Sequence, residues 1–295
     1  MQAAEAGDFR ALARVITIVE NELPGYTELL HALSFTGESK IIGITGPPGA
    51  GKSTLVNAII HHWLKEGKKI AVLAVDPSSP FNYGALLGDR VRMAQLYTHP
   101  KVYIRSLASR GALGGLSAKI IEIADITRLG GFDYILIETV GVGQSEVEIA
   151  GLADCTVVTL VPEAGDTVQT LKAGIMEIAD VFVVNKADRE SADALYGSLR
   201  ILAHEQATED WETPVVKTVA TTQNGIAELA EAIDGYLMRP AADNSKKLQL
   251  MTDKAWQLIQ AARMANVDKR KLQYDLSEAK KENGFNLYRF VRGLL

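Results

Sequence analysis

Gly46-Pro47-Pro48-Gly49-Ala50-Gly51-Lys52-Ser53 decides the fold of this chain. The apolar run Lys40-Ile41-Ile42-Gly43-Ile44-Thr45 comes directly before it, and Thr54-Leu55-Val56-Asn57-Ala58-Ile59-Ile60 directly after it. The first flank is short enough for a buried strand, and the second reads as a helix. Strand, glycine-rich turn and helix thus arrive in the order of a phosphate loop. Glycines let successive backbone N–H groups point inward at phosphate oxygens, and the helix N-terminus adds partial positive charge. Lys52 is placed to neutralise the outer phosphates and the Ser53 hydroxyl to ligate Mg2+. A chance match to Gly-x4-Gly-Lys-Ser in a chain this long is on the order of 1 in 100. Correct flanks lower it further, so a nucleotide phosphate site is expected at Gly46, Gly49, Ala50, Gly51, Lys52, Ser53 and Thr54.

Working outward, apolar strands alternate with helices from Lys40 to about Leu237. Strands are predicted at Ile41–Thr45, Ile70–Val75, Val102–Arg105, Tyr134–Glu138, Cys155–Val161, Val181–Asn185 and Val215–Thr218. Their apolar runs are continuous rather than alternating, which predicts a mostly parallel sheet covered by helices on both faces. In such α/β sheets the ligand sits beyond the carboxyl ends of the strands. Residues 1–38 read as a helical extension, with Phe9, Leu12, Val15, Ile16 and Val19 at helical spacing, a break at Pro24-Gly25 and a second helix through Glu28–Leu33. Residues 39–240 form the sheet domain. Residues 241–295 are helical by pattern, with segments Leu248–Ala265, Asp268–Asn283 and Phe285–Leu295, and read either as a helix packed back on the domain or as a dimerisation arm.

Composition narrows the function. The chain has 295 residues, 47% of them hydrophobic, and a formal net charge of −5, which argues against a broad nucleic-acid-binding surface. No run approaches the ~20 apolar residues of a membrane span, and Glu5 and Asp8 stand where a signal peptide would be basic or apolar. The expected compartment is the cytoplasm, or an organellar matrix if a presequence was removed. Cys155, the one cysteine, lies in an apolar strand and reads as a small core residue. His61 and His62 are adjacent and face different directions, so they do not suggest zinc.

Polar residues at the strand ends supply the chemistry. Asn185-Lys186-Ala187-Asp188 follows the apolar run Val181–Val184. The Asp188 carboxylate can accept two hydrogen bonds, from the N1–H and the exocyclic amine of guanine, a donor pair that adenine lacks. Asn185 can bond the base edge or brace the loop, and the Lys186 stem can cover the ring. GTP is therefore expected over ATP. Asp76 and Glu138 each end a strand, the Walker B arrangement for Mg2+, while Asp89 is open between metal ligand and helix N-cap. Two glycine-rich segments, Ser106–Leu116 and Thr139–Glu146, look suited to switching. In or beside them Gly141 can bond a γ-phosphate, Gln144 can orient water, and Arg105 or Arg110 can neutralise transition-state charge.

With these motifs together the chain resembles the methylmalonyl-CoA mutase-associated GTPases, the MeaB/ArgK family. The resemblance rests on residues 46–53, Val75-Asp76-Pro77-Ser78-Ser79-Pro80, Arg105-Ser106-Leu107-Ala108-Ser109-Arg110-Gly111, Glu138-Thr139-Val140-Gly141-Val142-Gly143-Gln144-Ser145-Glu146 and Asn185–Asp188. It implies a P-loop GTPase core with helical extensions at both ends and a homodimer. It also implies a slow GTPase that binds a cobalamin-dependent acyl-CoA mutase and gates loading and protection of its adenosylcobalamin. Carried over residue by residue, Lys52 and Ser53 serve phosphate and Mg2+, Asp76, Asp89 and Glu138 surround the metal, and Asn185 and Asp188 read guanine. Together with the reading of Gly141 and Gln144 above, the expected catalytic set is Lys52, Glu138, Gly141 and Gln144.

The chain departs from the family in Pro162-Glu163-Ala164-Gly165-Asp166-Thr167-Val168-Gln169-Thr170, where Glu163 and Thr170 stand for glycines and Thr167 for an acid. A stiffer third switch-like loop is the expectation. Two alternatives compete: an ATPase or kinase linked to amino-acid transport, which Asp188 disfavours, and a metal-insertion GTPase, which the lack of His-rich or Cys-containing sites disfavours.

Overall fold

The computed structural model describes residues 1–34, 39–76, 93–108, 119–139, 145–163, 176–205, 207, 211–239, 245–264, 267–281 and 285–294. They fall into two compact units, Met1–Asn244 and Ser245–Leu295.

The first unit is built on a seven-stranded sheet, β1 (Lys40–Thr45), β2 (Ile70–Asp76), β3 (Val102–Ala108), β4 (Tyr134–Glu138), β5 (Cys155–Leu160), β6 (Val181–Asn185) and β7 (Val215–Thr218), in the order β3-β2-β4-β1-β5-β6-β7. Every pairing is parallel. The continuous apolar runs have the expected cause, since β4, β5 and β6 are buried along their whole length. β3 runs three residues past its predicted end. Ser106 interrupts the apolar pattern, yet Ser106, Leu107 and Ala108 pair in register with Ala74, Val75 and Asp76. Ladder pairing outweighs one polar side chain.

Helices cover both faces. α1 (Gln2–Glu5), α2 (Phe9–Glu20), α3 (Tyr26–His31) and α4 (Lys52–Lys65) come first. α5 (Ile120–Arg128), α6 (Ser145–Leu152), α7 (Met176–Ile178), α8 (Ala192–Glu205) and α9 (Ile226–Leu237) follow. α4 and α9 pack together on one face, where Leu55, Ile59 and Trp63 meet Leu229 and Ile233 over Ile42, Val72 and Val157. α8 covers the other face over Val158, Leu160, Phe182 and Val184. Successive residues of β5, Val157 and Val158, thus enter opposite cores, as strand geometry requires.

The N-terminal helices pack within this unit. Asp8 caps α2, accepting from Arg10 N at 2.8 Å and Ala11 N at 3.2 Å. Leu12, Val15, Ile16 and Val19 form its buried stripe against α5, and Phe9 stacks on Phe132 at 5.7 Å. The Arg105 guanidinium binds the Glu20 carboxylate at 2.5 Å and the Thr17 hydroxyl at 3.3 Å.

The second unit has α10 (Ser245–Arg263), α11 (Lys269–Ala279) and α12 (Leu287–Arg292). Asp268 and Asn286 cap the last two through side-chain oxygens. Among the described residues no helix is long and apolar enough to cross a membrane.

Cys155 is fully buried, and burial foremost pushes its thiol well above the usual value. The thiolate is the reactive form, so native protein should leave an aromatic disulfide reagent unreacted over minutes at pH 8. One thiol per chain should react after unfolding in urea. Rapid reaction of the native protein would mean that this strand opens.

Candidate functional site

The carboxyl ends of β1, β4, β5 and β6 converge on the phosphate loop. Gly46, at φ 137°, crosses β5 so closely that a Cβ would lie 2.0 Å from the Thr159 carbonyl oxygen. Gly51, at φ 84°, caps α4, and a Cβ there would lie 2.5 Å from Asn185 Nδ2. Only glycine meets both demands, of conformation and of space. Gly51→Ala should push Asn185 off the loop and weaken nucleotide binding by at least tenfold while the chain still folds, because Gly51 lies at a helix terminus outside the core. Fluorescent GDP titration with a far-UV dichroism check measures this.

Lys52 opens α4 and is buried, its Nζ donating to Gly46 O at 2.8 Å and Pro47 O at 3.1 Å. Next along the helix, Ser53 Oγ donates to Glu138 Oε1 at 2.7 Å, and both residues are buried. Ala50 is buried in the loop and Thr54 half-buried on the first turn of α4.

Asn185 ends β6 and is 2% exposed. Its Nδ2 donates to Ala50 O at 2.9 Å, and its Oδ1 accepts from Thr218 Oγ1 at 3.1 Å and Ala220 N at 3.4 Å. Of the two roles open to it, these are the bonds of a brace. Lys186 takes a left-handed conformation at φ 55°, and its Nζ donates to Gly49 O at 2.9 Å. The two residues therefore tie their loop to the phosphate loop at two carbonyls. Asp188 is exposed on a cavity of about 530 Å³ that also takes in Lys217, Thr218, Val219 and Gly225. Arg189, immediately after it, forms an ion pair with Glu163, one of the departures from the family pattern.

Thr218 and Ala220 were not singled out from sequence. Their signal was available, because β7 pairs with β6 and sets Asn185 opposite Thr218. Asp76 is the last residue of β2, and Ala74, two residues before it, pairs with Glu138. The two carboxylate-bearing strands thus end side by side. Asp89, Gly141, Gln144, Arg110 and residues 164–175 lie outside the described residues. Among those described, no cluster of three or more His, Cys, Asp or Glu is arranged for a metal. Arg105 departs from expectation. Its guanidinium is engaged by Glu20 and Thr17 of α2, so it anchors that helix instead of serving a phosphate.

The donor set fits Mg2+. A hydroxyl and a carboxylate lie within one hydrogen bond of each other next to the phosphate loop. Mg2+ takes hard oxygen ligands, commonly one or two carboxylates plus substrate phosphates.

Residues 12–272 match the family described as methylmalonyl-CoA mutase-associated GTPase MeaB. A Pyrococcus abyssi protein, provisionally named a GTPase, is 49% identical over 238 residues, covering 79% of this chain and 74% of its own. The GTPase ArgK of Escherichia coli is 39% identical over 255 residues, covering 82% and 76%. The crystal structure of an LAO/AO transport system kinase superposes with a TM-score of 0.71 at 27% identity, over 99% of this chain and 94% of that one. Parallel sheet, phosphate loop and guanine-type loop agree with these matches, and the chain belongs to the MeaB/ArgK family of P-loop GTPases.

Proposed function

We propose that this GTPase binds a cobalamin-dependent acyl-CoA mutase of the methylmalonyl-CoA mutase type and uses its nucleotide state to gate loading and protection of the adenosylcobalamin. The observation that carries the partner is the match of residues 12–272 to a family described by its association with that mutase. A transport-linked kinase is the weaker reading, since it requires ATP and Asp188 is suited to guanine.

In the proposed site backbone N–H groups of Gly49 to Thr54 and the Lys52 ammonium hold the phosphates, since Pro47 and Pro48 have no N–H to offer. Nucleotide would draw the ammonium from Gly46 O and Pro47 O to phosphate oxygens. Ser53 and Glu138, with Asp76 and Asp89, would hold Mg2+, which neutralises charge on the β- and γ-phosphates when bound. Water adds to the γ-phosphorus, the bond to the β–γ bridging oxygen breaks, and GDP and phosphate leave. Gly141 and Gln144 follow Glu138 by three and six positions, the segment that would sense the γ-phosphate and orient the water. Asp188 would select guanine while Asn185 and Lys186 lock the base loop to the phosphate loop. With no arginine supplied by a partner, such a site hydrolyses GTP slowly.

The Ser245–Leu295 unit fits a homodimerisation arm. Leu248, Met251, Trp256, Leu258 and Met264 are all more than half exposed, apolar surface that a second copy would cover. Light scattering should report a dimer, and Trp256→Glu with Met251→Glu should shift it to monomer.

Adenosylcobalamin loading of purified mutase tests the function. GTP with this protein should support loading, and a non-hydrolysable analogue should stall it. Equal loading with either nucleotide, or with none, would remove the gating role.

A further inference from the structure

Two buried hydroxyls stand where the strands hand over to the functional loops. Thr45 is the last residue of β1, directly before Gly46, and Thr139 directly follows Glu138 at the end of β4. Their Oγ1 atoms are 2.9 Å apart, and the residues are 0% and 2% exposed. One hydroxyl donates to the other. Thr139 N also donates to Ile44 O at 3.1 Å, which carries the β1–β4 pairing one step beyond β4.

We propose that the Thr45–Thr139 hydroxyl pair is a positioning device for hydrolysis, fixing the Glu138 carboxylate and the chain leaving it against the phosphate loop. The inference rests on the reading of Glu138 as a metal carboxylate. The contacts close a ring. Thr45 enters the loop, the loop ends at Ser53, Ser53 Oγ binds Glu138 Oε1 at 2.7 Å, and Glu138 is bonded to Thr139. A buried hydroxyl is unfavourable unless paired, whereas valine would fill the same space with no polar atom to satisfy. What the pair provides and two valines do not is direction. It ties the start of the 139–146 segment to the residue before the phosphate loop, through partners 94 positions apart in sequence.

Thr45 and Thr139 act through Glu138 and Ser53, so their effect should fall on kcat and on Mg2+, not on guanine. The test compares Thr45→Val, Thr139→Val, the double valine variant, Thr45→Ser and Glu138→Gln in the full chain. Readouts are fluorescent GDP affinity with and without Mg2+, GTP turnover and the urea midpoint.

Each single valine leaves one buried hydroxyl orphaned and should lower the urea midpoint, and the double variant should regain most of it. Turnover should not follow stability. The double variant should keep a kcat roughly tenfold below wild type, with KM within about twofold, the size expected of a lost positioning contact. Its GDP affinity should match wild type without Mg2+ and lose part of the gain that Mg2+ gives. Thr45→Ser, which keeps the hydroxyl, should return kcat to within about twofold. A double variant with wild-type kcat and Mg2+ response would overturn the inference and leave the pair a structural contact. If Glu138→Gln hydrolyses GTP like wild type, the metal reading itself fails, and the inference fails with it. A deficient Glu138→Gln beside a normal double valine variant overturns the inference alone.

Discussion

Asp188→Asn should lower GTP and GDP affinity by about 100- to 20,000-fold. The estimate follows from two hydrogen bonds to an ionised carboxylate at about 1.5–3 kcal/mol each, against about 1.4 kcal/mol per tenfold in affinity. An Asn amide keeps an acceptor for the N1–H of guanine but turns its NH2 toward the exocyclic amine, setting donor against donor. Xanthine carries a carbonyl at that position, so the same variant should bind xanthosine nucleotides better than wild type does. The crossing of the two affinities is the signature. A uniform loss for both bases would mean a damaged loop, and unchanged GTP affinity would take Asp188 out of base recognition. The loop should survive the change. Asn185 and Lys186 hold it through Ala50 O and Gly49 O, and neither bond involves Asp188.

Glu138→Gln should lower GTP turnover by about 100- to 1000-fold, the range seen when one preorganised electrostatic group is removed from an active site. The side chain keeps its shape and its oxygen can still accept from Ser53 Oγ, now at 2.7 Å from Glu138 Oε1. What is lost is the negative charge that would hold Mg2+. GDP affinity measured in EDTA should change less than threefold, because the phosphate loop and Asn185 are untouched. Turnover of wild type should vanish in EDTA and return with Mg2+. Wild-type turnover in Glu138→Gln would place the metal elsewhere.

Strand identity was legible in the sequence wherever burial was two-sided. β4 and β6 have their predicted bounds because each is an unbroken apolar run closed by a polar residue. The phosphate loop was legible because its chemistry is contiguous. The brace was only half legible. Asn185 stood out, but its partners come from two other segments, Ala50 in the phosphate loop and Thr218 and Ala220 at the end of β7, and the β6–β7 register brings only the latter segment beside it. Arg105 misled for the same reason. Its position before a glycine-rich segment resembled a phosphate-facing arginine, yet its carboxylate partner, Glu20, lies 85 residues away on α2. The Thr45–Thr139 pair carries no sequence signal, since either threonine alone is an ordinary strand-end residue.

Nucleotide-dependent affinity for the mutase tests the central claim most directly. Labelled methylmalonyl-CoA mutase would be titrated with this protein saturated first with GDP and then with a non-hydrolysable GTP analogue. Coupling between two sites is typically 1–3 kcal/mol, so the two dissociation constants should differ by about 5- to 150-fold. By reciprocity, mutase should change the GTP-analogue-to-GDP affinity ratio of this protein by the same factor. Equal dissociation constants in the two nucleotide states, or no binding in either, would contradict the account.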